Sequence, residues 1–384
     1  MKTGMLTGIF LMLFITCGDN KPRTYTIDVI DGVTRIHNLE PMLSAEDPGI
    51  QLEFVQRYGA VETSDPDLLL DHPRDAAVDR AGNVFITDQD NHQLKKFDSS
   101  GNLLLTIGQR GQGPEDFMYP RTLHITDDNL IMVTEPNRTK IFTAEGRFIR
   151  ILEINGSTHC TPISPYRFTR RSDRMAIRSI EDYNDLIKKL GQMPMVTVVD
   201  TLGNTLCSFG EKRVYNDMVY VLNFNSFSLQ VNQDDEYYMA FGSQNRIEKH
   251  GPEGRLIWTA SRTLPYEESE EIKKVKTSNT IGNAAIASMF NRFSTAIEID
   301  GSGRLWIPTQ KRQFTQHERL KEFNTLEDPE FIMLEVYDQD GILLQRIPWE
   351  YGTGRQLVHI HEDRMFFTSW VDMCVYEYRI VDSE

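Results

Sequence analysis

Long hydrophobic runs are scarce in this sequence of 384 residues. Beyond the first twenty positions, no stretch is apolar over the roughly 20 residues that a membrane-spanning helix needs. Basic charge is also in short supply, because 41 lysines and arginines stand against 56 aspartates and glutamates, for a net charge of −15. A surface that binds a phosphate backbone needs positive potential, so the composition argues against nucleic acid as a partner. The 40% of hydrophobic residues excludes disorder for most of the chain.

Cysteine is rare as well, with four in the chain: Cys17, Cys160, Cys207 and Cys374. Neither a CxxC motif nor a Cys/His cluster occurs, which excludes a structural zinc site of the usual kind. The three cysteines after Cys17 are odd in number and widely spaced, so they do not form a disulfide framework. A single bridge between Cys160 and Cys207 stays open as an alternative to the buried free thiols that we expect.

Familiar catalytic motifs are missing too. The sequence holds no GxSxG serine motif, no P-loop, no GxGxxG between a strand and a helix, and no HExxH motif. Its His-x-His pair, His359 and His361, falls on one face of a predicted strand. Histidines on a packed sheet face are more often core side chains than metal ligands. The motifs therefore predict no catalytic residue and no metal ligand, and they favour a binding protein over an enzyme.

The amino terminus has the pattern of an export signal. Lys2 is followed at 4–16 by an uncharged apolar run that is too short to span a membrane but typical of a secretory signal core. Cys17 comes directly behind it and resembles the lipobox cysteine of bacterial lipoproteins, in which the chain is cut before the cysteine and the thiol is diacylated. We predict a signal peptide at 1–16 and, at 17–50, an anchor, a tether and a lead-in strand. An ordinary signal peptide with a coincidental cysteine is the alternative.

The rest of the chain repeats a short β-rich unit. From Pro73 and again from Pro120, β-prone runs alternate with turns rich in Asp, Asn and Gly, which is typical of an up-and-down antiparallel sheet. The glycine before the last strand of the unit recurs at Gly101, Gly146, Gly203, Gly254 and Gly341. A sixth unit at the carboxyl end has only three strands, and residues 51–59 resemble the missing fourth.

Four-stranded sheets repeated around a ring form a β-propeller, and an N-terminal strand that completes the last sheet removes the free edges. We therefore predict an all-β fold, a monomeric six-bladed β-propeller of four-stranded antiparallel blades over residues 51–382. Three segments interrupt the rhythm of the blades, at 181–194, 266–290 and 311–330, and we expect them to be short helical insertions on one rim.

The first unit resembles an NHL repeat, a module of six-bladed propellers. The residues that carry the resemblance are Pro73–Asp75, Val78–Asp79, Gly82–Asn83, Asp88, Asn91, Phe97 and Gly101. Together with the lipoprotein-like start, this is similar to the exported propeller lipoproteins of Bacteroidetes-type bacteria. The resemblance implies a protein of the cell envelope, in the periplasm or on the outer membrane or cell surface, held to a membrane only by its lipid anchor.

Arginine recurs where the inner strands begin, in five of the six units. These arginines are Arg74, Arg121, Arg167, Arg292 and Arg355, while the remaining unit has Asn225 and an aromatic residue, Tyr119, flanks the second. Inner strands converge on the channel, and guanidinium groups suit carboxylate, sulfate or phosphate. We expect a mouth that binds an anionic small molecule, a peptide segment or a protein partner. The alternative is that these arginines pair with acids of adjacent blades as structural struts.

Enzymes with six-bladed propellers supply a second hypothesis. Gluconolactonase-like hydrolases hold calcium in the channel with acidic and amide ligands, and NHL-type amidating lyases use histidines and a metal. The starts of the inner strands here hold one acid, Asp75, so they make a poor calcium cage, and we expect no cofactor. The acids Asp79, Asp88, Asp98 and Asp340 are interpreted as turn residues that bond their own backbone.

Overall fold

The computed structural model describes most of the chain. Its described residues are 23–44, 49–59, 65–136, 138–152, 167–168, 174–178, 194–200, 204–213, 224–267, 273–276, 286–289, 293–313, 331–351 and 354–383. Within these ranges nearly every regular element is a strand, apart from a turn of 3-10 helix at Pro66–Leu68. No helix in the described part of the chain is long and apolar enough to cross a membrane.

The strands are numbered in chain order. Ahead of the first blade lie β1 (Tyr25–Ile30), β2 (Val33–Asn38) and β3 (Ile50–Tyr58). The next two blades contain β4 (Pro73–Val78), β5 (Val84–Asp88), β6 (Gln93–Phe97), β7 (Leu103–Ile107), β8 (Thr122–Ile125), β9 (Ile131–Glu135), β10 (Arg138–Phe142) and β11 (Phe148–Leu152). Blades three and four contain β12 (Arg167–Phe168), β13 (Arg174–Arg178), β14 (Pro194–Asp200), β15 (Thr205–Glu211), β16 (Phe227–Val231), β17 (Tyr237–Phe241), β18 (Ile247–His250) and β19 (Leu256–Arg262). The last strands are β20 (Lys273–Lys276), β21 (Ile286–Met289), β22 (Glu298–Ile299), β23 (Leu305–Gln310), β24 (Ile332–Tyr337), β25 (Leu343–Trp349), β26 (Arg355–His361), β27 (Arg364–Ser369) and β28 (Cys374–Asp382).

These strands form six blades, and the fold is the predicted six-bladed β-propeller. In blades one to five, four consecutive strands pair as antiparallel neighbours, beginning with β4-β5-β6-β7. Apolar side chains meet between adjacent blades: Phe85 and Leu94 of blade one, for example, pack with Val133 and Phe142 of blade two. A middle strand is thus covered on both faces, which explains why every residue of β5 is buried.

Blade six is completed from the other end of the chain. Strand β3 pairs antiparallel with β28, from Ile50 opposite Asp382 to Tyr58 opposite Val375, and the sheet order is β26-β27-β28-β3. The expectation that an N-terminal strand closes the ring is confirmed. Tyr58, at the end of β3, is fully buried in a cluster that links Phe366 of blade six to Phe97 of blade one, and Ile50, at its start, packs in the core shared with blade five.

A buried polar cluster fastens this closing strand. The Tyr58 hydroxyl donates a 2.6 Å hydrogen bond to Oε2 of Glu377, and Gln56 Nε2 donates to the same oxygen at 3.1 Å. The Arg364 guanidinium donates to Oε1 at 2.6 Å. Burial by itself raises the pKa of Glu377, but the bonds from Arg364, Tyr58 and Gln56 outweigh it and hold that pKa below its usual range. The ionised form of Glu377 therefore stabilises the folded state.

The lead-in segment contains two strands where the sequence predicts one. Strands β1 and β2 form a hairpin, and β2 adds to the outer strand of blade four in parallel register, with Thr34 opposite Trp258. The blade thus becomes a six-stranded sheet, β1-β2-β19-β18-β17-β16. Asn38, fully buried at the end of β2, donates to the Gly341 carbonyl and accepts from the Leu343 amide, which ties the hairpin to blade five.

Turn chemistry follows the predicted pattern with one shift. Asp79 and Asp98 each accept backbone amides two and four residues ahead, with Gly82 and Gly101 at positive φ. In the fifth blade this role belongs to Asp338 rather than Asp340. Burial raises the pKa of Asp88, which accepts from the Asp71 amide and lies 3.5 Å from Lys95 Nζ.

The insertion at 266–290 differs from its prediction. Strands β20 and β21 pair there as an antiparallel hairpin, so the expectation of helix is wrong for those residues. β-branched side chains at Val275 and Ile286 favour an extended backbone. Residues 181–193 and 314–330, also predicted as helical, lie outside the described residues.

Cys374 and the histidine pair lie among packed side chains. Cys374 is a fully buried thiol, and burial raises its pKa to about 11, which makes it a poor nucleophile. Cys160 lies outside the described residues, so its pairing with Cys207 stays a prediction. The rings of His359 and His361 lie 6.4 Å apart, and burial lowers the pKa of His361.

Removing the chain through Gly59 should abolish cooperative folding. Strand β28 would lose its outer partner, β3, and the core between blades six and one would lose the Tyr58 ring. Removing residues 1–24 should leave the melting transition unchanged, since β1 starts at Tyr25. An intermediate truncation through Pro48 separates the hairpin from the closing strand. The measurement is the thermal transition by circular dichroism, and a monomeric, cooperatively melting product of the longest deletion would contradict this role of β3.

Replacing Glu377 with Gln should lower the free energy of unfolding at neutral pH by roughly 1–3 kcal/mol, the usual worth of charge-assisted bonds. Since the folded-state pKa of Glu377 lies below that of the unfolded chain, its contribution is present above the unfolded value of about 4.5 and lost as pH falls through the folded value. Denaturant titrations between pH 3 and 7 should thus show a flatter acid limb in the variant. Glu53→Gln, an exposed change on the partner strand β3, is the control and should keep the wild-type limb.

Candidate ligand site at the channel mouth

One face of the propeller gathers the residues of interest. Antiparallel strands alternate in direction, so the starts of the inner strands, the turns between second and third strands, and the connections between blades share a face. The inner strands are β4, β8, β12, β16, β22 and β26. The segments 181–194, 266–290 and 311–330 all follow strands that end at this face. We call it the mouth face.

Arg74 and Arg121 lie next to each other on the mouth face. Arg74 is in β4 and Arg121 directly precedes β8, the neighbouring inner strand. Burial, followed by the positive charge of Arg121, lowers the pKa of Arg74, against the opposing charges of Asp75 and Asp90. Burial also lowers the pKa of Arg121. Among the described residues Arg74 forms no ion pair, so two partly buried cations repel each other here.

Asp75 is engaged elsewhere. Its Oδ2 accepts the Leu123 amide at 2.9 Å across the blade boundary, and its Oδ1 accepts the Ala76 amide at 2.9 Å. The acid that the sequence places beside the arginines therefore joins blades one and two. It is 6% exposed, and its charge offsets only part of the lowering of the Arg74 pKa.

Aromatic and imidazole rings flank both arginines. The Arg74 guanidinium lies 4.8 Å from the centre of the Trp370 ring, which belongs to blade six. The ring of His72 meets Trp370 edge-on at 5.7 Å, and the ring of His92 meets Tyr119 at 4.9 Å. Tyr119, expected at the mouth, is 40% exposed and so is available for stacking.

His72 and Tyr119 occupy equivalent strained positions. Each directly precedes the proline and arginine that open an inner strand, and each has a positive φ, 53° and 66°. Side chains larger than glycine adopt this conformation at a cost, and such residues cluster at functional sites. The repeat of this feature in two adjacent blades indicates that it orients the ring and the arginine together.

Two buried lysines hold the loops of this face in place. Lys95 Nζ donates to the carbonyls of Asp67 and Leu69, at 2.6 and 2.7 Å. Lys140, at the corresponding position of the next blade, donates to Gly113 and Asp116. Both lysines are almost fully buried, so they fix loop backbone and do not contact a ligand.

A cluster of possible metal ligands also lies here. His72 Nδ1 is 2.8 Å from Asp71 Oδ1 and 2.9 Å from Asp90 Oδ2. The three ligand atoms lie within 4.8 Å of one another. The distances suit both a divalent ion and an imidazole held between two carboxylates. The sequence reasoning missed this cluster because Asp90 lies in the β5–β6 turn, away from the strand starts.

Arg355 has a different environment from Arg74. Its guanidinium lies 3.4 Å from the centre of the Tyr351 ring and 3.5 Å from that of Tyr376, and it donates to the Tyr378 hydroxyl. Three tyrosines thus surround this cation within blade six and its entry loop. Arg355 is thus held by aromatic rings of blade six and its entry loop, which differs from the predicted pairing with acids of adjacent blades.

The remaining residues of the predicted site lie at blades three to five and at the amino terminus. Arg167 lies in β12, where its backbone pairs with Ala176. Asn225 Oδ1 accepts the Arg213 amide and Nδ2 donates to the Arg213 carbonyl, both at 2.9 Å, so its amide fixes the exit of blade three. Arg292 and Cys17 lie outside the described residues. The structure therefore brings together Arg74, Arg121 and Tyr119.

Comparison with known proteins supports the fold. A family model, DUF5128, described as a 6-bladed beta-propeller, matches residues 52–183. No curated protein matches the chain. A protein of Bacteroides fragilis described as exported is similar in structure, with a TM-score of 0.57, 13% identity and coverage of 91% of this chain and 100% of that one. A DUF4221 family member from Bacteroides vulgatus has a TM-score of 0.55, 10% identity and coverage of 87% and 99%. At such identities the likeness extends to the propeller fold alone.

Proposed function

We propose that this protein is an exported, lipid-anchored binding protein whose mouth face takes an anionic ligand between Arg74 and Arg121. The observation that carries the proposal is the closeness of two partly buried cations at the starts of neighbouring inner strands, where burial and then the charge of Arg121 lower the pKa of Arg74. Guanidinium stays protonated at neutral pH even when its pKa is lowered. An anion bound by both groups would turn this repulsion into two charge-assisted hydrogen bonds.

The surrounding groups support a ligand with a planar or apolar part beside its charge. Trp370 lies against Arg74, and Tyr119 precedes Arg121 by two residues, and aromatic rings stack on peptide groups and sugar rings. A carboxylate on a small molecule or at the end of a peptide segment would satisfy both requirements. A protein partner that presents such a carboxylate belongs to the same proposal.

Export and anchoring are the second part of the proposal. The apolar run before Cys17 has the composition of a signal core, and the Bacteroides fragilis protein of similar fold is described as exported. Acylation of Cys17 would place the propeller in the cell envelope, tethered by the residues before β1. Two acyl chains are enough for stable anchoring without a spanning helix. The NHL-type lipoproteins that the sequence resembles share this arrangement.

An enzyme with a metal at the channel is the alternative, and the Asp71–His72–Asp90 cluster favours it. Two carboxylates and one imidazole would leave ligand positions open for substrate, as in a hydrolase or a lyase. Metal analysis of the purified protein distinguishes the two functions. A stoichiometric divalent ion that disappears in Asp90→Asn would favour the enzyme, and its absence after dialysis against zinc, manganese and calcium would favour the binding protein.

The double variant Arg74→Ala, Arg121→Ala should lose anion binding. Thermal-shift screening of the wild type with sulfate, phosphate, uronates and short acidic peptides should find an anion that stabilises it in a salt-sensitive way. Removing two charge-assisted bonds should weaken that binding roughly tenfold to thousandfold. The double variant should itself melt at or above the wild-type temperature, because the repulsion is gone.

Two further variants serve as controls for this screen. Arg80→Ala, an exposed change in the β4–β5 turn at the opposite end of blade one, should leave binding intact. Arg355→Ala should lower the melting temperature, because Tyr351, Tyr376 and Tyr378 lose the guanidinium that they contact. If no anion stabilises the wild type, or if the double variant binds as the wild type does, Arg74 and Arg121 are structural.

Replacing Cys17 with Ser should release the protein from the membrane. The variant should appear in the soluble fraction and take up no labelled fatty acid, because the acceptor thiol is gone. Cys207→Ser is the matched control and should keep the label. Wild-type protein that takes up no label would show that residues 1–16 are an ordinary signal peptide.

A further inference from the structure

A cavity lies on the mouth face at blade four, apart from Arg74 and Arg121. Its volume is about 290 Å³, close to the lower end of the usual range for small-molecule pockets. The lining residues that matter are Arg35, His37, Arg213, Phe224, Gln244 and Phe293. They come from the N-terminal hairpin, the exit of blade three, the β17–β18 turn and the entries of blades four and five.

The hairpin builds one wall of this cavity. Arg35 lies opposite Thr259 and His37 opposite Ser261 in the parallel pairing of β2 with β19, and all four line the cavity. Ile36, between them, points to the other side of the sheet, into the core shared with blade five. A four-stranded blade would lack this wall, so the cavity depends on the β1–β2 hairpin that extends blade four to six strands.

Gln244 carries a buried oxygen without a partner. Its side chain is 4% exposed, and its Nε2 donates to the carbonyl of Phe224. That carbonyl can only accept, so the bond fixes which way the amide faces. Oε1 is then a buried acceptor that receives no hydrogen bond from the described residues. Such an atom costs stability unless a ligand or a water donates to it.

The charge around the cavity is mainly positive. Three arginines and a histidine face one acid, Asp28, among the lining residues. Arg246 is balanced by Glu248 at 3.2 Å and stacks on Phe241 at 3.9 Å. Arg35, exposed at the rim, forms no ion pair within the described residues. The rim therefore attracts an anion, whereas the floor, with buried Phe224 and Phe293, is apolar.

We infer that this cavity binds a hydroxylated carboxylate of about the size of a monosaccharide. Its carboxylate would meet Arg35 and Arg213 at the rim, one hydroxyl would donate to Gln244 Oε1, and the ring would lie against the phenylalanines. The inference goes beyond the proposed function, because none of these side chains belongs to the pair at blades one and two.

The test is isothermal titration calorimetry of the purified protein with D-glucuronate, D-glucose and sulfate. Glucuronate should bind at least about tenfold more tightly than glucose, which lacks the carboxylate, or sulfate, which lacks the ring hydroxyls. Gln244→Leu and Arg35→Ala should each weaken it by roughly tenfold or more. The melting temperature of Gln244→Leu should change little, because the variant loses the unpaired Oε1 together with the bond from Nε2 to the Phe224 carbonyl. Arg255→Ala, on the outer turn of the same blade, is the matched control and should bind as the wild type does.

Three results would overturn the inference: no binding of glucuronate, equal binding of sulfate, or full binding by folded Gln244→Leu. Glucuronate binding that is lost in the Arg74→Ala, Arg121→Ala variant and kept in Arg35→Ala would assign the ligand to the mouth. In that case the inference about blade four fails and the proposed function stands.

Discussion

The pairing of β3 with β28 is the interaction on which the other blades depend. Within the described residues, apolar clusters join blade one to blades two and six, and blade four to blades three and five, so an open ring would leave apolar faces of blades one and six exposed. The joint combines a nine-residue strand, the buried Tyr58 ring and a carboxylate held by three donors. Main-chain pairing sets the position of the strand, and the bonds to Glu377 oppose a slip along β28, because a shift by one residue would turn Tyr58 to the other face.

A rigid ring allows strained and repelling groups to stay close together at its mouth. His72 and Tyr119 keep their unfavourable backbone conformation because a proline and a paired strand follow each of them. Lys95 and Lys140 hold the adjoining loops by their carbonyls. The stability of the whole fold therefore offsets the unfavourable energy of holding Arg74 and Arg121 close together, as is usual where a protein is preorganised for a ligand.

Much of the fold could be predicted from sequence, because blades repeat and turn residues are local. Asp79, Asp98 and the glycines at positive φ identify turns by their own backbone chemistry. The β1–β2 hairpin could not be predicted, since its pairing with β19 is set by register over more than two hundred residues. For the site, spacing predicted that Arg74, Arg121 and Tyr119 would meet. Spacing could not show that Arg355 differs from these arginines, because its contacts with Tyr351, Tyr376 and Tyr378 depend on the fold of blade six and its entry loop. Trp370 and Asp90 were missed because the turns that hold them carry no arginine.

Closure between two ends of the chain also sets an order on biosynthesis. Tyr58 and Glu377, which are joined by a hydrogen bond, are 319 positions apart in the chain. Strand β3, the first strand of the ring to be synthesised, therefore has no partner until β28 has been made. During translation β3 is an unpaired strand with several apolar side chains, the kind of edge that associates with other chains. A ribosome that stops before Cys374 releases a chain that cannot complete blade six. Strand β28 thus sets a condition for closure, since only a chain translated through it can pair with β3, the strand of the ring that was made first.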